Sequence, residues 1–428
     1  MYKIWKNGYF HMKTIGIIAE FNPFHEGHRY LIEKCKESLG ADRCVVVMSG
    51  DFVQRGAPAI VDKFSRARMA LKCGADLVLE LPIYYSTGSA EYFARGAVSI
   101  LNGLGCIDYL CFGSEHADLD KLDTIAGILN SESGLYKEIL EKELKEGKPY
   151  PAASASALAA VIKNSSVDNN IDIYRQIFSS PNSILAIEYL KALRKQKSRI
   201  KPYTIERIGQ PYHSDDLGGV PSASGVRARI FTASDIYTKS HAEELLGGFM
   251  PDEAIGEIGS YQGSFMSSNN LSHLLKYKLT LEKSGGYTDY LDVNSDISNL
   301  IAGNLDKFDS FSDFCSVLKS KNLVYTRISR SLLHILLNIT KENMKEYKKD
   351  SFTCYARVLG LKADSSDILA RAHESSAIPI IDRPKTAKKL LNPLQKRLFD
   401  ETLTASSIYN SISKAYEGSE YSLKPVIL

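Results

Sequence analysis

Along the first two hundred residues, apolar positions come in short unbroken runs separated by stretches with helical spacing. Thr14–Ala19 (TIGIIA), 43–48 (RCVVVM), 76–81 (DLVLEL) and 108–112 (DYLCF) read as strands. Continuous apolar runs of this length are what a parallel sheet covered on both faces requires. Between them, 27–38, 62–72 and 90–101 read as helices. This alternation implies right-handed crossovers and the α/β class, with a doubly wound, Rossmann-like parallel sheet. Ligands of such sheets lie beyond the carboxyl ends of the strands, which singles out the loops 20–27, 49–57, 82–89 and 113–116.

Further along, 146–156 (EGKPYPAASAS) has turn composition and is expected to be a loop. The segment 182–195 reads as a helix with Asn182 at its N-cap, 202–208 as a strand and 222–231 as another helix. Beyond about Met250 the β alternation gives way to helical spacing, in 270–281, Phe311–Leu318, 326–339 and 395–412. The expected organisation is an extension (1–11), an α/β domain (12–249) and a mostly α-helical C-terminal domain (250–428).

Composition narrows this picture little. The chain has 428 residues, 44% hydrophobic and 24% charged, which excludes collagenous and largely disordered proteins. A net charge of +3 does not by itself predict nucleic-acid binding, so any basic surface must come from local clustering. Seven cysteines without a CxxC pair argue against a disulfide framework or structural zinc and for a reducing cytoplasm. No apolar run approaches the roughly 20 residues that span a bilayer, so no membrane association is expected. The first eleven residues lack an apolar signal core, and Met12 directly precedes the first strand; they read as an upstream start or a flexible tail.

The chemistry concentrates after the first strand, in Glu20-Phe21-Asn22-Pro23-Phe24-His25-Glu26-Gly27-His28. At a strand–helix junction, His25 ends the loop and His28 falls in the first helical turn. Both imidazoles and the free N–H groups of the helix can then converge on one anion. Gly27 permits close approach of a nucleotide, and Pro23 fixes the entry of the loop. The arrangement suits displacement at the α-phosphate of a nucleoside triphosphate, where preset donors meet accumulating negative charge.

The HxGH loop resembles that of the nucleotidyltransferase superfamily. The longer stretches GIIAEFNPFHEGHRYLI (16–32), MSGDFVQRGAPAIVDKFSRARMAL (48–71), GADLVLELP (74–82), CFGSE (111–115), PNSILAIEYL (181–190), TIERIG (204–209) and SASGVRARI (222–230) resemble the bacterial tRNA(Met) cytidine acetate ligase family. YARVLGL (355–361) and SIYN (407–410) extend the likeness thinly into the last 180 residues. It implies a nucleotidyltransferase-like catalytic domain over 12–249 and a tRNA-binding C-terminal half. The implied reaction forms acetyl-adenylate from acetate and ATP, supplied with Mg²⁺. Acetyl transfer to N4 of the wobble cytidine of elongator tRNA(Met) then releases AMP.

On this resemblance His25 and His28 are catalytic, and Ile18, Glu20, Asn22, Pro23, Phe24, Gly27, Gly113, Asn182, Arg207, Ser222, Ser224 and Arg227 complete the ATP site. Asn182 reads equally as a helix cap, Arg207 as a surface charge and Ser222–Arg227 as a serine-capped helix; Gly225 replaces a threonine common in relatives. Gln54 and Arg55 are candidates for an acetate and cytidine pocket, with no catalytic role assigned to Asp51. Lys63, Arg66 and Arg68 suggest a partly solvated stripe. Arg327 and Arg330, then Lys345, Lys348 and Lys349, then Lys385, Lys388 and Lys389 are basic clusters suited to RNA, any one of which also reads as a solvated charged face, and Tyr325 and Tyr355 either stack on bases or are simply buried. No metal ligand set or protein partner is expected. The rivals are a small-molecule adenylyltransferase, a class I aminoacyl-tRNA synthetase, which would want a KMSKS-like loop not found here, and an RNA-binding protein with a degenerate nucleotide site.

Overall fold

Alternate residues of one central strand point into two different apolar clusters, Val45 and Val47 into one and Cys44, Val46 and Met48 into the other. A strand can do this only with layers packed on both of its faces. The computed structural model describes residues 12–131, 134–148, 150–165, 171–207, 222–233, 239–349 and 352–428. The extension 1–11 and the end of the expected strand at Ile208 lie outside them.

The strands, in chain order, are β1 (Thr14–Ala19), β2 (Arg43–Ser49), β3 (Phe52–Val53), β4 (Ala57–Pro58), β5 (Leu77–Leu81), β6 (Tyr109–Ser114), β7 (Lys201–Glu206), β8 (Ala356–Leu361), β9 (Ile380–Ile381) and β10 (Val426–Ile427). The main sheet runs β10-β8-β5-β2-β1-β6-β7, with β9 beside β8, and β3 pairs with β4 in a small hairpin. The run from β5 to β7 is parallel, with Gly16 of β1 opposite Val45 on one side and Leu110 on the other. The order reverses about β1, so the site belongs at the carboxyl ends of β1, β2 and β6.

The turn-like stretch 146–156 becomes helical from its fifth residue, as part of the helix Tyr150–Ser165. Its alanines favour a helix, and Pro151 sits in the first turn, where no N–H is required. The C-terminal half is mostly helical but not separate from the sheet. β8 lies antiparallel on β5, and β9 and β10 pair with β8 in turn.

Buried charge fastens this return. Lys63 Nζ donates to Glu80 Oε1 (2.6 Å) and Ser406 Oγ (2.8 Å) and pairs with Glu420; Arg357 Nη1 contacts Glu80 Oε2 (2.7 Å) and Glu420 Oε1 (2.6 Å). Lys63 is therefore buried rather than part of a solvated stripe, as is Arg66, while Arg68 pairs with Glu257 at 2.7 Å. Here α2 (Lys63–Lys72) faces the rest of the protein rather than water.

Candidate active site

The helix α1 (Glu26–Leu39) begins with a capping box made of imidazoles. His25, in extended conformation at the N-cap, accepts the Gly27 N–H on its Nδ1 (3.1 Å), and His28 Nδ1 accepts the His25 N–H (3.2 Å). The two rings stack 3.7 Å apart at 26°, and Phe21 and Phe24 pack against His28. A neutral imidazole whose Nδ1 accepts must carry its proton on Nε2. The backbone therefore fixes both tautomers and leaves two Nε2–H donors beside each other. Burial first, then the Arg207 and Arg227 charges, push the His25 pKa down to about 3; burial and its neighbours hold His28 well below its usual range too.

A second group of residues holds the other end. Glu115, just past β6, accepts from Asn182 Nδ2 (2.6 Å) and from the backbone N–H groups of Asn182 (3.1 Å) and Ser183 (2.9 Å). Burial alone would raise this carboxyl, but these hydrogen bonds hold it below the usual range. Asn182 is thus not the N-cap of its helix, Pro181–Lys195; Ser180 is, and Asn182 lies in the first turn with its Oδ1 accepting from Arg207 Nη1 (3.0 Å). Sequence reasoning missed Glu115; the available signal was an acid at a strand end where a helix N-terminus attracts negative charge.

Ser222 caps the helix Ala223–Thr232 by accepting the Gly225 N–H (3.2 Å), so the glycine takes part in the cap through its backbone donor. Arg227 donates to Asn22 O (2.7 Å) and Ser224 Oγ (3.2 Å), which draws this helix onto the HxGH loop. The Asn22 side chain is engaged by Ile60 N–H (2.8 Å). Buried Arg66 gathers the loop ends, donating to Glu20 O (2.7 Å), Ser49 O (3.0 Å), Val61 O (3.1 Å) and Gly50 O.

These elements enclose a cavity of about 440 Å³. Ile18, Glu20, Asn22, His25, His28, Gln54, Arg55, Gly113, Asn182, Arg207, Ser222, Ser224 and Arg227 line it. Pro23 and Gly27 shape the loop without lining the cavity, and Phe24 belongs to the core. The sequence reading also missed a wall from the C-terminal half, Met266, Ser267, Ser268 and Ser312, which no motif marks. The hairpin loop carrying Gln54 and Arg55 is clamped by that half: Gly56 has φ +77°, and a Cβ there would stand 2.3 Å from Arg330 N in the helix Tyr325–Leu336. The Ser329 hydroxyl donates to Gly56 O at 2.8 Å.

The RNA candidates lie outside the cavity. Arg327, Lys345, Lys348, Lys349, Lys385, Lys388 and Lys389 are exposed. Arg330 is a correction: its guanidinium is mostly buried and paired with Asp292 (2.9 Å), so it is not a free basic group. Of its two readings Tyr355 takes the buried one, with its ring against Phe399 and closed to base stacking. Among the described residues, no three potential metal-ligating side chains cluster, and no helix is long and apolar enough to cross a membrane.

Residues 12–422 match the family model of the HIGH nucleotidyl transferases. A tRNA(Met) cytidine acetate ligase of Clostridium perfringens is 37% identical over 97% of this chain and 100% of its own length. Its namesake from Acetivibrio thermocellus is 38% identical over 93% and 94%. The crystal structure of Thermotoga maritima TmcAL bound with alpha-thio ATP superposes with a TM-score of 0.86 at 26% identity, covering 97% of this chain and all of that one; the apo form gives 0.90.

Proposed function

Because the chain belongs to the HIGH nucleotidyl transferase family, and within it to the tRNA(Met) cytidine acetate ligases, we propose that the cavity at the carboxyl ends of β1, β2 and β6 carries both steps of acetate activation and transfer. The protein is an ATP-dependent acetate ligase acting on tRNA(Met). The observation that carries the site assignment is the pair of stacked imidazoles with tautomers set by the α1 capping box, lining one cavity with Arg207 and Arg227.

In this reading the nucleoside lies toward Gly113, Asn182 and Arg207, and the phosphates toward the α1 N-terminus, Ser222, Ser224 and Arg227. An acetate oxygen attacks the α-phosphorus and pyrophosphate departs. The Nε2–H groups of His25 and His28 donate to the oxygens on which charge accumulates. Neutral imidazoles suit this role, since they bind through fixed dipoles and their Nε2–H is too weakly acidic to be given up. Mg²⁺ would arrive on the phosphates, as it usually does, rather than in a cage of protein carboxylates. The mixed anhydride then meets the exocyclic amine of the wobble cytidine in elongator tRNA(Met). That base must be unstacked, because the amine lies on its pairing edge. Exposed Arg327, Lys385, Lys388 and Lys389 contribute electrostatic attraction for RNA, and the reaction belongs to the cytoplasm, where tRNA is.

The test is mass analysis of tRNA(Met) after incubation with protein, ATP and isotopically labelled acetate. One labelled acetyl group on the wobble cytidine supports the reading. Acetylation from acetyl-CoA without ATP, or a dinucleotide product without tRNA modification, refutes it.

A further inference from the structure

The step from acetyl-adenylate to acetylated cytidine needs a group that takes a proton from the exocyclic amine. Among the described residues lining the cavity, the titratable side chains are Glu20, His25, His28, Arg55, Tyr189, Arg207 and Arg227. The arginines stay charged and offer no lone pair. Each histidine already spends Nδ1 on a backbone N–H and carries its proton on Nε2, so neither accepts without abandoning the cap. Burial raises the Tyr189 phenol further above its ordinary value, so it remains a donor. Glu20 is the one carboxylate among them.

Its placement fits the task. Glu20 follows the last residue of β1, and its Oε1 is held by the Gln54 N–H at 2.7 Å. The bond comes from the hairpin loop that also brings Arg55 to the cavity. Oε2 makes no hydrogen bond among the described residues. Buried Arg66 grips the backbone carbonyl of Glu20 itself at 2.7 Å, so main chain and one carboxylate oxygen are both fixed while the other oxygen stays available.

We propose that Glu20 recognises the cytosine amine and accepts its proton during acetyl transfer, an inference that rests on the reaction proposed above. The N4 lone pair attacks the acetyl carbonyl carbon and a C–N bond forms. The bond from that carbon to the adenylate oxygen breaks, and AMP leaves with the electron pair. One N4 proton passes to Glu20 Oε2 and from there to solvent. A carboxylate that accepts from N4–H also discriminates against uridine, which presents a carbonyl oxygen at that position. Burial pushes the Glu20 carboxyl above its ordinary value, opposed by the Gln54 N–H and by the charges of Arg55, Arg227 and Arg66, which brings it nearer to neutral operating conditions.

The experiment compares wild type, Glu20→Gln and Glu20→Asp in two assays: acetate-dependent exchange of labelled pyrophosphate into ATP, and single-turnover transfer from preformed enzyme-bound acetyl-adenylate to tRNA(Met) across pH. Glutamine keeps an acceptor oxygen and the shape but takes no proton. Transfer by Glu20→Gln should fall by about 10²- to 10⁴-fold, at least tenfold more than exchange falls, and lose the acid limb of the wild-type pH profile. Glu20→Asp should recover part of the rate and restore that limb. Exchange and transfer falling together, transfer at the wild-type rate, or an unchanged profile would each overturn the role of Glu20. A wild-type protein without acetate-dependent exchange would overturn the underlying reaction as well, and is told apart by that control.

Discussion

Replacing His25 by asparagine separates the cap that this side chain makes from the catalytic role proposed for it. As N-cap it accepts the Gly27 N–H, and in the proposed reaction its Nε2–H meets the α-phosphate in the cavity that His25 lines. Asparagine is among the best N-caps, so the cap survives, whereas alanine forfeits about 1 kcal/mol. Both variants lose the 3.7 Å ring stack on His28, worth about 0.5–1.5 kcal/mol. Against a typical stability of about 5–15 kcal/mol, His25→Asn stays folded. Its chemistry should suffer far more. Removing one preorganised donor from developing negative charge costs about 2.7–4 kcal/mol, or 10²- to 10³-fold in rate. The assay is acetate-dependent pyrophosphate–ATP exchange beside urea unfolding of the same preparations. The expected result is a near-native unfolding midpoint with exchange lowered about 10²-fold or more, and little further loss of exchange in His25→Ala. A His25→Asn enzyme exchanging within threefold of wild type would refute the reasoning, because cap and backbone would then account for everything that His25 does.

Glu115→Gln puts an amide N–H against the donors of Asn182 and Ser183 and loosens Asn182, whose Oδ1 accepts from Arg207; KM for ATP should rise about tenfold with kcat changed less, and an unchanged KM would count against this group as a nucleotide anchor. Lys63→Met leaves Glu80 and Glu420 buried with one cation fewer and should cost about 3–5 kcal/mol in urea unfolding; a loss under 1 kcal/mol would contradict the fastening of the C-terminal half described here. Stability should also fall in mild acid. His25 has a folded pKa near 3 against about 6.5 unfolded, so below pH 6.5 the unfolded chain binds a proton that the folded one refuses. Its contribution is complete above pH 6.5 and drains by up to about 1.4 kcal/mol per pH unit as pH falls toward 3. His25→Asn should flatten that slope between pH 6.5 and 5, and an equal slope in both proteins would contradict the buried neutral imidazole.

The parallel strands and the HxGH junction were legible because each is written in consecutive residues: an unbroken apolar run, then two histidines three apart. The return of the C-terminal half was not, because β8 reads ARVLGL amid helical spacing, and its partner β5 lies some 280 residues away in sequence. Which members of the Lys63, Arg66 and Arg68 stripe are buried was hidden for the same reason, since the partners of Lys63, namely Glu80, Ser406 and Glu420, come from three separate segments. Asn182 was placed at a cap by residue type, but the preceding Pro181 is already helical and moves the cap to Ser180. In the site, the residues read from motifs line one cavity, except that Pro23 and Gly27 act on the loop and Phe24 on the core. The wall of Met266, Ser267, Ser268 and Ser312 has no local signature, because tertiary packing alone brings it there.

The most direct measurement of the central claim is a crystal structure of the protein with a non-hydrolysable acetyl-adenylate analogue. The oxygens standing for the α-phosphate should lie about 3 Å from Nε2 of both His25 and His28, with the acetyl group on the side of Glu20 and Gln54. An analogue bound elsewhere, or rings turned so that neither Nε2 faces it, would contradict the account.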